Sequence, residues 1–195
     1  ELAIYEGLLA RKRKQVVLAM EMFERDVQEQ LNQYLAGEID ESTFLAHSRP
    51  WGNYREAYRP LIEKARKAER PVVASNFPLP LRRRRAREGR DVLESLRRDG
   101  TEQVPNEMLP NTEAYWQRVD NAVRGHRGMV RGTDDDPQRL FSTQSLWDNA
   151  MGEACAVALD KYPGNLVLHI NGGFHSAYWD GVVHQLKSRK PAARV

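Results

Sequence analysis

Asn165-Leu-Val-Leu-His-Ile-Asn-Gly-Gly-Phe-His175 decides how this chain folds. A short run of leucine, valine and isoleucine stops at Ile170 and gives way to an amide, two glycines and a histidine. Two earlier stretches have the same form: Gln15-Val-Val-Leu-Ala-Met20 runs into Glu21, and Pro71-Val-Val-Ala-Ser75 runs into Asn76. Short apolar runs separated by helical sequence are how buried parallel strands read. In an open parallel sheet, ligands bind in the crevice beyond the carboxyl ends of the strands. If the three strands are parallel neighbours, Glu21, Asn76 and His175 converge on one rim, and function is to be sought there.

Between and around the strands the periodicity predicts helices. Leu2 to Lys14 carries Ile4, Leu8 and Leu9 on one face and ends in a cationic turn. A helix from Arg25 to Ala36 is stopped by Gly37, and Asp40 caps a short one through Phe44 and Leu45. Tyr54 to Glu69 is helical with a bend or restart at Pro60. Phe77-Pro-Leu-Pro80 reads as an extended loop before an arginine-rich helix ending near Asp99. Thr112 caps a helix through His126, Gly128 to Pro137 reads as a mobile loop, and a long helix spans Gln138 to Lys161. A last helix begins at Asp180 or Gly181 and reaches Ser188. This order predicts the α/β class: a small, mostly parallel sheet flanked by helices, helix-rich, with residues 79–161 as a helical insertion in a single domain of 195 residues. The chain opens inside a helix and stops at Ala-Arg-Val195 as if entering a strand, so it reads as a domain lacking its first and last strands.

Apolar residues make up 41% and charged residues 29%, an ordinary balance, and no stretch approaches the roughly 20 apolar residues of a membrane span. Cys155 is the one cysteine, which excludes an internal disulfide and a cysteine metal cluster; its apolar helical setting reads as a buried, inert thiol. The net charge of +3 hides a concentration of arginine at positions 82–85, 87, 90, 97 and 98. That run answers an anionic partner (nucleic acid, a membrane surface, the carboxylates of a cofactor), or it is a solvated helix face balanced by Glu88, Asp91, Glu94 and Asp99. No aromatic residue interleaves with it and no nucleic-acid motif occurs, so no nucleic-acid partner is expected. H-E-x-x-H, G-x-S-x-G, Walker A and dinucleotide-binding motifs are missing from the sequence.

Individual residues sharpen the site. A carboxylate such as Glu21 among Met20, Met22 and Phe23 needs a metal, an arginine or a histidine beside it, Arg25 being the nearest in sequence. The paired glycines before His175 allow close backbone approach to a ligand, and the imidazole suits a metal, a haem iron or a proton. Tyr178 follows three residues later, and a phenolate can bind ferric haem iron. Trp51, Tyr54 and Tyr58 fall in and after one loop, where core packing is the competing reading. Gln144, Trp147, Asp148 and Met151 share a helix face, from which Asp148 either lines a pocket or orients His175.

Together these segments resemble the ChaN-like haem-binding uptake proteins, in the wider group of Tiki proteases and erythromycin esterases. The matching stretches are Leu18–Asp26, Tyr34–Asp40, Ser48–Tyr54 with Tyr58-Arg-Pro60, Val73–Pro78, Gln144–Asp148 with Met151, and Gly172–His175. The resemblance implies an α/β fold, site positions at Glu21 and His175 with Asn76 close by, and haem binding in bacterial iron acquisition. It also implies a cell-envelope lipoprotein, periplasmic or at the outer membrane, whose lipid anchor is not in this chain. Haem would take Tyr178 or His175 as axial ligand, lie against Trp51, Tyr54 and Trp147, and pair its propionates with Arg25 or Arg82. A homodimer would cover its exposed face. The alternative is a metal-dependent hydrolase in which Glu21 and His175 hold a divalent metal. The hydrolase branches add an upstream Gly-Glu-x-x-His segment, which this chain does not carry, so the enzymatic assignment stays open, with binding the favoured reading.

Overall fold

A computed structural model describes residues 1–12, 15–89, 91–99, 101–123 and 140–195. The sheet has three parallel strands in the order β2-β1-β3, with β1 Val16–Glu24, β2 Val72–Asn76 and β3 Leu166–Ile170. β1 is central because it is apolar without alternation, so it tolerates burial on both faces. Ala19 lies opposite Val73 on one side and His169 on the other.

β1 does not stop at Met20. It runs on through Glu21-Met-Phe-Glu24, because Met22 and Phe23 continue into the core. The pairing jumps from Met20–Ala74 to Glu24–Asn76, so the longer strand is irregular between Met20 and Glu24. The predicted strand end is therefore an irregularity inside a strand.

Contacts divide the chain into two compact units: residues 1–78 with 154–171, and residues 79–153 with 172–195. The first holds the sheet, α1 Leu2–Lys12, α2 Gln28–Ala36, α3 Glu41–Ser48 and α4 Arg59–Lys67. Its core packs Leu18, Met20, Val72, Ala74 and Ile170 with Leu31, Tyr34, Phe44, Leu61 and Ile62. Tyr34 and Phe44 stack at 4.7 Å, with Phe23 and Tyr54 tilted or edge-on against Phe44 at 5.7 and 6.3 Å. Asp40 caps α3 as expected, accepting from the Thr43 amide at 2.7 Å. Pro60 falls in the first turn of α4, where its missing N–H costs nothing, and a π-helical turn at Tyr54–Tyr58 precedes it.

Gly37 closes α2 in the left-handed region at φ 78°. A Cβ there would meet only the Arg66 guanidinium, at an ordinary 3.4 Å, so the penalty for a side chain is conformational. Gly37→Ala is expected to lower stability by about 1 kcal/mol in urea unfolding; an unchanged midpoint would contradict this account of the cap.

The second unit contains α5 Leu79–Glu88, α6 Asp91–Arg98, α7 Glu113–Val123, the first half of α8 Thr143–Lys161, and α9 Val182–Arg189. The single arginine-rich helix of the sequence reading is two helices, divided where Gly89 turns left-handed at φ 85°. Its start lies inside the expected Phe77–Pro80 loop, at Leu79. Thr112 caps α7, its Oγ1 accepting from the Tyr115 amide at 3.1 Å. The loop expected at Gly128–Pro137, with His126 and Gln138, lies outside the described residues. No strand forms at 190–195, which turns and ends irregularly. Helix dominates and the class is α/β.

Candidate functional site

In the first unit Asn76 ends β2 opposite Glu24, while Glu21 lies three residues before the end of β1, and Glu21 and Asn76 are both buried. The Asn76 side chain accepts from the Phe77 amide at 2.8 Å, turning the chain out of the strand. Arg25 opens the 3₁₀ turn that follows β1, and its charge acts on Cys155. Burial still pushes the Cys155 thiol up to about 12, as expected of an inert cysteine. On the same sheet, Ser75 Oγ and His169 Nε2 meet at 3.0 Å, joining β2 to β3 across the central strand. Trp51 is half-exposed, edge-on to Tyr58 at 6.0 Å. Tyr54 is buried and packs against Phe23 and Phe44, the core setting that was the competing reading of that loop.

The second unit holds the other candidates. His175 ends a 3₁₀ turn at Gly173–His175, and its Nδ1 lies 2.7 Å from Asp148 Oδ1 on α8. The Tyr115 hydroxyl on α7 donates to Asp148 Oδ2 at 2.5 Å. All three are buried. Burial pushes the Asp148 carboxyl up, while the bonds to His175 and Tyr115 pull the other way. Burial beside that carboxylate drives the Tyr115 phenol strongly upward, so it stays a neutral donor. An ionised Asp148 accepts from Nδ1–H, and in the neutral imidazole Nε2 then carries the lone pair. Asp148 is thus the orienting partner that the sequence allowed.

Two aromatic edges hold the imidazole, Trp147 and Phe174, each 5.9 Å away between ring centroids. The Arg82 guanidinium lies over Trp147 at 5.2 Å. Behind His175, a Cβ on Gly181 would stand 2.4 Å from the His175 carbonyl oxygen and 3.2 Å from Asp148 Oδ1. Only glycine leaves room there, and its φ of 55° suits glycine too.

From this anchored histidine the chain projects outward. Tyr178 and Trp179 both adopt left-handed backbone, at φ 59° and 64°, which costs a residue with a side chain roughly 1–2 kcal/mol. The two residues are 79% and 65% exposed, and Phe174 is 40% exposed. Arg118 of α7 lies over the Tyr178 ring at 5.0 Å and is paired with Asp180. Asp180 also accepts from Thr112 Oγ1 at 3.0 Å, so the cap of α7 fixes the far end of the loop.

Tyr115 and Arg118 were not picked out from the sequence. They lie one helical turn apart behind the Thr112 cap, and that spacing on α7 was the available signal. Among the described residues no group of three or more histidine, cysteine, aspartate or glutamate side chains could hold a metal ion. Nor is any helix among them long and apolar enough to cross a membrane. A cleft of about 780 Å³ opens at the other end of the sheet, lined by Asn32, Arg66, Arg70, Tyr162 and Asn165. Arg66 is already engaged there, stacked on Tyr34 at 4.8 Å.

Residues 1–186 match the profile of a family described as haem-binding uptake, Tiki superfamily, ChaN. No curated protein and no solved structure matches the chain. Because that match runs through the strands, the arginine-rich helices and the anchored histidine loop alike, the chain belongs to the ChaN family of haem-binding uptake proteins in the Tiki superfamily.

Proposed function

We propose that the chain binds ferric haem at the Phe174–Trp179 loop, with the Tyr178 oxygen as iron ligand. The observation that carries this reading is Tyr178 itself: an exposed phenol on a left-handed backbone, with a guanidinium over its ring. Tyrosine oxygen is one of the axial ligands by which proteins hold haem iron. The surroundings fit a flat apolar macrocycle with two carboxylates. Phe174 and Trp179 supply exposed aromatic surface, and Arg118 and Arg82 supply charge for propionates. Bound haem would contribute a ferric centre that accepts a hard anionic oxygen.

The chain's own residues prepare that loop. His175, bound through Nδ1 to Asp148, anchors its start, and Thr112 with Asp180 anchors its end. His175 serves here as the anchor rather than the first choice of ligand, since it is buried while Tyr178 is open. Glu21, Asn76, Arg25 and Trp51 belong to the first unit, and Trp147 to the packing around His175. We read the biological role as haem or iron acquisition at the cell envelope, with a second copy covering the outer face of the ligand.

Haemin titration tests the reading. The wild-type chain should shift the Soret band, and Tyr178→Phe should weaken binding at least tenfold, about 1.4 kcal/mol. A Soret shift that the substitution leaves untouched overturns Tyr178 as the ligand. No shift with the wild type overturns haem binding altogether.

A further inference from the structure

The charge of this chain is not spread over it. Residues 79–99 hold eight arginines against four carboxylates, an excess larger than the net +3 of the whole protein. α5 carries most of them and has no buried residue. Its arginines divide by role. Arg82 and Arg85 are half-buried, with Arg82 on Trp147, whereas Arg83, Arg84 and Arg87 are exposed. Glu88 answers Arg84 at 2.9 Å. Arg83 and Arg87 make no ion pair among the described residues, although they stand one turn apart on the same face. Like charges at that spacing weaken a helix, and an anion laid across them removes the penalty.

We infer that this face of α5 docks the protein on an anionic phospholipid surface. Charge complementarity is the first argument: exposed arginines close to an anionic leaflet contribute about 1 kcal/mol each. The second is the neighbourhood. Trp147 meets both Arg82 of α5 and His175, so α5 is joined through it to the loop that exposes Phe174, Tyr178 and Trp179. Tryptophan and tyrosine with flanking arginine is the side-chain set favoured at a membrane interface. A nucleic acid is the weaker match, because no aromatic ring stands within the arginine run to stack on a base. Docking of this kind needs no membrane-crossing helix, and it does not depend on haem being the ligand of the loop.

Co-sedimentation with phosphatidylcholine vesicles, with and without phosphatidylglycerol in equal parts, tests the inference on the full chain. Binding should require phosphatidylglycerol and fall as sodium chloride rises. Arg83→Glu with Arg87→Glu should weaken it by at least roughly tenfold. Arg83→Gln with Arg87→Gln should give an intermediate loss, and circular dichroism should show both variants folded. Haemin titration of the same variants should be unchanged, which separates a failure here from a failure of the haem reading. Equal pelleting with phosphatidylcholine alone, undiminished binding of the folded glutamate variant, or tighter binding to duplex DNA than to the anionic vesicles each overturns it.

Discussion

Asp148→Ala should destabilise the protein by about 3–5 kcal/mol in urea unfolding, the range for removing one member of a buried charged pair. The size follows from what is left behind. Asp148 is wholly buried, and it is the acceptor for both His175 Nδ1 and the Tyr115 hydroxyl. Without it, two buried donors face a cavity, and each unsatisfied group costs about 1–3 kcal/mol. Asp148→Asn should cost less but still distort the site, because the amide presents one donor where two acceptors are needed. A double-mutant cycle with Tyr115→Phe separates the parts. Tyr115→Phe removes a donor and leaves Asp148 bonded to His175, so it should be the milder single change. In the Asp148→Ala background its effect should shrink, since the hydroxyl has already lost its acceptor. Additive losses would mean that Tyr115 and Asp148 do not act as one unit. The loop proposed above for haem gives a second readout: loosening His175 should weaken haemin binding there.

How far the sequence carried the fold can be judged at single residues. The strands were legible because Val16–Met20, Val72–Ser75 and Leu166–Ile170 are short, apolar and isolated by helices. The end of β1 was not, since Met22 and Phe23 are equally at home in a strand or the helix after it, and the irregularity between Met20 and Glu24 is set by pairing with β2. The split of the arginine helix turned on Gly89 alone, a residue that many helices absorb. In the site, His175 stood out through the glycines before it, and Asp148 through its place beside Trp147. Tyr115 did not, because a hydrogen bond between residues 33 apart leaves no period in the chain. Tyr54 was ambiguous for the opposite reason. An aromatic side chain after a Pro-Trp-Gly loop reads the same whether it faces a ligand or Phe44, and only the packing around Phe23 decides.

Gly152→Ala should destabilise the protein although it places alanine inside a long helix. Helix propensity favours the change by up to about 1 kcal/mol. Packing opposes it more strongly. The added Cβ would lie 2.4 Å from Gln185 Cβ and 3.0 Å from the backbone carbon of Gln185 and the amide nitrogen of Leu186, so α8 and α9 touch at the glycine. Gln185 cannot swing aside cheaply. It is buried, its amide donates to Leu109 O at 3.1 Å and Asn111 Oδ1 at 3.0 Å, and its Oε1 accepts from Arg189 at 2.7 Å. Overpacking costs about 1–3 kcal/mol, and each hydrogen bond lost with Gln185 adds about 1 kcal/mol. The net should be a loss of about 2 kcal/mol or more. Gly7→Ala in α1 makes the same chemical change where a Cβ meets nothing within 4 Å, and it should raise stability by about 0.5–1 kcal/mol. Opposite signs from one substitution at two helical glycines would separate close packing from propensity. A neutral or stabilising Gly152→Ala would mean that α9 does not rest on α8 at this point.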